Sequence, residues 1–255
     1  MTRANIIIAA AIAAFTLSIL AMFNWPEVEP LWPERIQGFS FSPLRANQDA
    51  TKHIYPSLQE IEADLALLEG RAHAVRTYTM DGTLGEIAPL ARKHNLNVAL
   101  GAWISNNRRR NEEELTKLIA AVQANRNVVR AIVGNEVLYR NELPKDELFA
   151  YLDRAREALD QPVSTAETWD RWLRNPDLAD HVDFVAVHIL PYWEGVDVEV
   201  AVDYVVNAMN ALKLAFPDKP IVISEVGWPS MGRTPSGSVW SGRLLSFSTM
   251  RERAQ

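Results

Sequence analysis

The chain of 255 residues contains no cysteine. That absence excludes a disulfide scaffold, a Cys-ligated metal site and a thiol nucleophile. Positive charge is also in short supply: 26 Lys and Arg stand against 32 Asp and Glu, for a net charge of −6. Nucleic-acid binding needs a basic face to neutralise phosphates, so it is not expected here. The five histidines (53, 73, 94, 181 and 188) show no metal-ligand spacing, and neither a metal nor another cofactor is expected. What is present is 48% hydrophobic and 23% charged residues, which excludes a disordered chain and suits one domain large enough to bury a substantial core.

Residues 6–23, IIIAAAIAAFTLSILAMF, carry no charge. As a helix they span about 27 Å, close to the hydrocarbon thickness of a bilayer. The run is longer than the apolar stretch of a secretory signal, and its end offers only a weak small-x-small cleavage site, so an uncleaved anchor is expected. Ile6, Ile7, Ile8 and Ala9 face every side of a helix, which a surface helix of a soluble domain does not tolerate. Arg3 precedes the run, and Glu27, Glu29 and Glu34 outnumber Arg35 after it. The positive-inside rule then keeps the N-terminus in the cytoplasm and exports the rest. The expectation is an inner-membrane, single-pass anchor at 1–23 with the remainder facing the periplasm or exterior. Residues 24–35, rich in Pro and Trp, form a stiff interfacial linker.

From residue 36 apolar strands alternate with amphipathic helices. Strands are predicted at Ile36–Phe41, Ala74–Tyr78, Val98–Ile104, Val129–Gly134, Val163–Ala166, Val182–Ile189 and Ile221–Glu225, short and rich in Val and Ile as strands buried on both faces are. Ser57 and Glu60 make a capping box for a helix ended by Gly70. Asn111 is expected to cap a second helix, with Glu112, Glu113 and Glu114 at its dipole-favoured start and Leu115, Leu118, Ile119 and Val122 inward. Pro144 opens a third, and another spans 198–216. Strand starts recur every 19 to 39 residues. This pitch predicts right-handed βαβ units and a parallel sheet. An open doubly wound sheet usually carries G-x-G-x-x-G after its first strand, and the chain reads G-F-S-F-S-P there. The expected fold is therefore α/β, a TIM (β/α)8-type barrel over 36–232, with its chemistry at the C-terminal ends of the strands.

Two of those ends carry a glutamate flanked by Asn on one and by Gly-Trp-Pro on the other. The fourth strand finishes Val133-Gly134-Asn135-Glu136 and the seventh Ser224-Glu225-Val226-Gly227-Trp228. Two carboxylates about 5–5.5 Å apart suit a retaining glycosidase, in which one attacks the anomeric carbon and the other protonates the leaving oxygen. Their two roles require two environments, one holding a charge and the other a proton.

On these residues the chain resembles the glycoside hydrolases of family 17, the β-1,3-glucanases, within a large clan of retaining barrel enzymes. The resemblance covers 36 to about 232 and rests on G-N-E at 134–136, S-E-V-G-W-P-S at 224–230, R-T-Y at 76–78 and G-F-S-F-S-P at 38–43. It implies that Glu136 is the general acid/base and Glu225 the nucleophile. It further implies that Asn135 binds the sugar 2-hydroxyl and that Arg76 and Tyr192 hold Glu225 ionised and aimed. The implied substrate is a β-1,3-glucan, either hydrolysed or transferred to another glucan.

Tyr78, Trp103, Tyr192, Trp193 and Trp228 fall at or just past strand ends, where aromatics stack on sugar faces; the alternative, a core position, is weighed for Trp103 and, less heavily, for Trp228. Glu167 ends the fifth strand and can meet substrate hydroxyls or start a helix beside Trp169. His188 lies on the sixth strand, lining the pocket or satisfied within the sheet. Asn106, Asn107 and the run Arg108-Arg109-Arg110 follow the third strand, read as a solvated loop or as a contact for an anionic glucan or lipid headgroup.

Residues 233–255 form an atypical tail in which no eighth strand and helix can be read. One expectation is accordingly a barrel lacking a clear eighth unit. Its alternative is a catalytically weak or inactive glucan-binding fragment, because a sheet with two open edges exposes apolar surface. A third reading keeps the enzyme and changes the linkage, for example to β-1,4.

Overall fold

The computed structural model describes residues 2–23 and 33–229. The chain divides into two units, 1–34 and 35–255. The expected linker at 24–35 and the tail at 233–255 lie largely or wholly outside the described residues. In the first unit, α1 (Arg3–Phe23) is a helix of 21 residues, about 31 Å long, and is long and apolar enough to cross a membrane. The Ser18 hydroxyl donates to the Ala14 carbonyl at 2.8 Å, so even this polar side chain is satisfied within the helix.

The second unit is built on seven parallel strands in sequential order: β1 (Phe39–Ser40), β2 (Ala74–Arg76), β3 (Asn97–Ala102), β4 (Val128–Asn135), β5 (Val163–Thr168), β6 (Val185–Ile189) and β7 (Ile221–Val226). All seven coincide with strands expected from the sequence. The first is shorter than expected, reduced to two residues and a separate bridge from Ile36 to Ala72. Along β4, Ala131 and Val133 point to the large core beneath the helices, whereas Ile132 joins Ala166, Phe184 and Ala186 in a small inner cluster. This alternation is the signature of a sheet curled around its own interior.

The curl brings β1 and β7 together. The Ser40 hydroxyl on β1 donates to the Ser224 carbonyl on β7 at 3.0 Å, across 184 positions of sequence. Among the described residues no backbone ladder joins β7 to β1, so the barrel is nearly closed rather than sealed. Ile223 and Val226 of β7 are exposed on this side.

The helices follow their caps. In α2 (Leu58–Leu68) both halves of the Ser57–Glu60 capping box form, a feature worth about 1 kcal/mol. The second cap differs from expectation: α4 (Arg108–Ala124) begins at Asn107, whose side chain accepts from the Arg110 amide, and Asn111 is buried in the first turn. Asn111 binds the amide and carbonyl of Ser105 instead, closing the loop after β3. Pro144 does open α5 (Lys145–Ala158). The last helix among the described residues, α7 (Ala201–Ala215), follows a short 3-10 turn at Val198–Val200. The short α3 (Ile87–Lys93) was not expected from the sequence, whereas α6 (Trp169–Arg174) starts at Trp169, where a helix start was one of the two readings of Glu167.

Candidate active site

Glu136 directly follows β4 and Glu225 lies on β7, and both are largely buried, at 7% and 8% exposure. The chain reaches Glu136 through a left-handed bend, with φ of 90° at Gly134 and 52° at Glu136. A Cβ on Gly134 would sit 2.6 Å from Val137 Cγ2, so only glycine fits that turn. For a glutamate the left-handed conformation is strained, and such strain concentrates at functional positions. The Glu136 amide is anchored by donation to the Ala166 carbonyl at 2.7 Å. The ladder register between β4 and β5 shifts just before it, and irregularities of this kind re-aim side chains.

Glu225 is surrounded by donors. Arg76 Nη1 donates to its Oε1 at 2.5 Å and the Tyr78 hydroxyl to the same oxygen at 2.7 Å. Burial alone would raise the Glu225 carboxyl. The charges of His188 and Arg76, together with the hydrogen bonds from Tyr78 and Arg76, outweigh burial and hold it below the usual carboxylate range. Tyr78 is itself pushed up by burial and the adjoining Glu225 charge, which keeps its proton available for donation. The second arm of Arg76, Nη2, donates to Asn135 Oδ1 at 2.6 Å. One guanidinium thus ties the β4 end to the β7 end.

His188 lies between the two glutamates. It is paired with Glu225 in the β6–β7 ladder and is 1% exposed. Its Nδ1 is 3.0 Å from Glu136 Oε1, and its Nε2 is 3.5 Å from Glu225 Oε1. A single imidazole ring therefore contacts both carboxylates.

Several residues are placed differently from expectation. Tyr78, expected on a sugar-stacking platform, is buried beneath the Arg76 guanidinium, 4.0 Å from its ring centre, and is spent on Glu225. Glu167, near the end of β5, is fully buried. Its two oxygens accept the amides of Leu138 and Tyr139 at 2.7 and 3.2 Å, bracing the turn that follows Glu136. Burial pushes its carboxyl up to about 7 despite those two hydrogen bonds. Trp103 is half-buried, stacked at 4.3 Å under Arg140, whose guanidinium also donates to the carbonyls of Asn135 and Ile104. Tyr192, Trp193 and Trp228 do gather, with Tyr192 edge-on to Trp193 at 5.1 Å and to Trp228 at 5.5 Å between ring centres.

The arginine run belongs to α4 and each member has a carboxylate partner: Arg108 with Glu147 at 2.7 Å, Arg109 with Glu113 at 4.0 Å, and Arg110 with Asp81. Glu114, expected at the dipole-favoured start of a helix, is buried in α4. It accepts from the Thr79 hydroxyl at 2.5 Å and from the amides of Met80 and Trp103 at 2.7 and 3.0 Å, locking the loops after β2 and β3 together. Its place was signalled by spacing, since it precedes the inward Leu118 by one helical turn. Among the described residues no group of three or more His, Asp or Glu side chains could hold a metal ion.

Related proteins share this frame. The chain is 28% identical over 236 residues to the probable glucan endo-1,3-β-glucosidase btgC of Aspergillus flavus, covering 85% of this chain and 34% of that protein. The chain spans about a third of the length of the curated relatives it matches. Among solved structures it is similar to a glycoside hydrolase family 17 β-1,3-glucanosyltransferase from Rhizomucor miehei, with a TM-score of 0.69, 25% identity, and 80% and 76% of the two chains covered. An active-site mutant of that enzyme in complex with laminaritriose superposes with a TM-score of 0.71 at 25% identity, covering 81% and 76%. The resemblance to family 17 and the barrel expected from the sequence are borne out by these likenesses. Residues 38–248 match the BtgE/BtgC glycoside hydrolase domain, and the chain belongs to that family.

Proposed function

We propose that the chain is a retaining glycosidase acting on β-1,3-linked glucan, with Glu225 as nucleophile and Glu136 as acid/base. The observation that carries this reading is the unequal treatment of two neighbouring buried glutamates. Glu225 receives Arg76 and Tyr78 on one oxygen and is held ionised, while Glu136 meets the imidazole of His188. Difference of environment is what assigns two carboxylates to two roles. In the first step Glu225 Oε2 attacks the anomeric carbon as Glu136 gives its proton to the departing glycosidic oxygen. In the second, Glu136 takes a proton from the acceptor hydroxyl, which attacks the same carbon and frees Glu225. Water as acceptor gives hydrolysis, and a second glucan gives chain transfer; the relatives named above include both a glucosidase and a glucanosyltransferase.

Asn135 presents its carbonyl oxygen to Arg76, which turns its amide NH2 toward the sugar 2-hydroxyl. Tyr192, Trp193 and Trp228 form an aromatic corner just past the ends of β6 and β7, suited to sugar C–H faces. The domain responsible is 36–232. α1 holds it at the inner membrane as a single-pass anchor, facing the periplasm or exterior. Its apolar length and the charge asymmetry around it support this placement. Mass spectrometry of the products formed from laminari-oligosaccharides tests the reading. Shorter products indicate hydrolysis and longer ones transfer, both abolished in Glu225→Gln; unchanged substrate from the intact chain would refute an enzymatic role.

A further inference from the structure

His188 has no part in the two-carboxylate scheme, yet its ring is in contact with both members. At 3.0 Å, the Nδ1–Oε1 contact with Glu136 must contain a proton. Nε2 is buried with no hydrogen-bond partner, 3.5 Å from the oxygen of Glu225 on which Arg76 and Tyr78 converge. A lone pair on Nε2 would face an ionised carboxylate across that gap and be repelled by it, whereas an N–H there is attracted.

The reaction moves negative charge from one glutamate to the other. Before the first step Glu225 is ionised and Glu136 carries a proton. Afterwards Glu225 is an uncharged ester and Glu136 is ionised, so the total charge of the pair is unchanged. A neutral ring that donates from Nε2 to Glu225 can accept the Glu136 proton at Nδ1 before the first step, but once Glu136 is ionised that ring turns a lone pair on the carboxylate and must switch tautomer, then switch back in the second half-reaction. A doubly protonated ring donates to both sides and needs no rearrangement.

We propose that His188 is a positioning residue that stays doubly protonated between Glu136 and Glu225 and matches the negative charge as it passes between them. Its role in turnover rests on the glycosidase reading; its protonation in the free protein does not. The charged groups around it come from every neighbouring element. Glu225 faces it from β7 with Arg76 and Tyr78 of the β2 end behind, and Glu136 faces it from the β4 end. Glu167 at the end of β5 acts on Glu136, and Arg140 acts on both of those carboxylates.

The test is 15N NMR of the full chain in detergent with labelled histidine. The five rings are few enough for His188 to be assigned by the signals missing in His188→Asn. The expected result is the shift of a protonated nitrogen at both ring positions at neutral pH, unchanged when the protein is trapped as a 2-fluoroglycosyl adduct. An unprotonated nitrogen in the free protein, or a tautomer change on trapping, overturns the proposal. Kinetically, His188→Asn retains one amide donor toward Glu136 but no charge. It should lose about 100-fold in kcat with little change in KM, whereas near-wild-type kcat would assign His188 a purely structural place. If the intact chain neither turns over glucan nor forms an adduct, the glycosidase reading fails, and the ring shifts of the free protein still decide the protonation.

Discussion

Arg76 and Glu225 are 149 positions apart in sequence and 2.5 Å apart in the fold, and the same guanidinium reaches Asn135 at 2.6 Å. That fork requires a planar group with two donating edges, which a lysine ammonium cannot reproduce. Arg76→Lys should lower kcat/KM about 100-fold. It should also shift the acid limb of the pH profile to higher pH, because Glu225 loses donors that favour its ionised form. The same depressed carboxyl contributes stability above the ordinary carboxylate range, lost as pH falls through its folded value. Profiles of oligosaccharide cleavage in wild type and variant check the direction.

Glu167 gives the opposite pH dependence. Its carboxyl rises from 4.5 to about 7 through burial, so the folded state binds the proton more tightly than the unfolded chain. The stability it contributes is fully present below 4.5 and is lost as pH rises through about 7, amounting to about 3 kcal/mol. Chemical denaturation between these limits should show wild type losing stability relative to Glu167→Gln as pH rises. A constant difference between the two proteins would contradict the burial of an ionisable carboxyl there.

Ser40 bridges the two strands at the ends of the sheet. Ser40→Ala removes the donor and leaves the Ser224 carbonyl without it, costing about 1 kcal/mol. The corresponding fall in Tm is about 2–4 °C for a domain of this size. Hydrogen exchange should quicken in β7 ahead of β3 and β4, which are paired on both sides.

Membrane attachment through α1 makes its own prediction. The full chain should remain in the pellet after an alkaline carbonate wash, and a chain starting at residue 24 should be released. Release of a shortened form from intact cells would show that the helix is removed as a signal.

What could be read from sequence followed chain locality. Buried parallel strands are continuous apolar runs, and capping boxes are spelled within four residues, so the seven strands and the Ser57–Glu60 cap were legible. So were the two glutamates, because each sits where an apolar run meets its loop. Partnerships made through space were not. The hydroxyl of Tyr78 donates to Glu225 at 2.7 Å from 147 positions away, whereas the linear reading placed Tyr78 only among the sugar-stacking aromatics. His188 was ambiguous because its meaning depends on Glu136, 52 positions earlier. Glu114 and Glu167 resemble surface charges in a linear reading, and only the fold reveals the backbone amides that allow each carboxylate to be buried.

The most direct test of the central claim is covalent trapping with a 2-deoxy-2-fluoro laminaribiosyl donor, followed by peptide mass mapping. The prediction is one added glycosyl group on the peptide bearing Glu225, absent in Glu225→Gln. An adduct on another residue, or turnover that releases a product of inverted anomeric configuration, would contradict the assignment of Glu225 as the nucleophile.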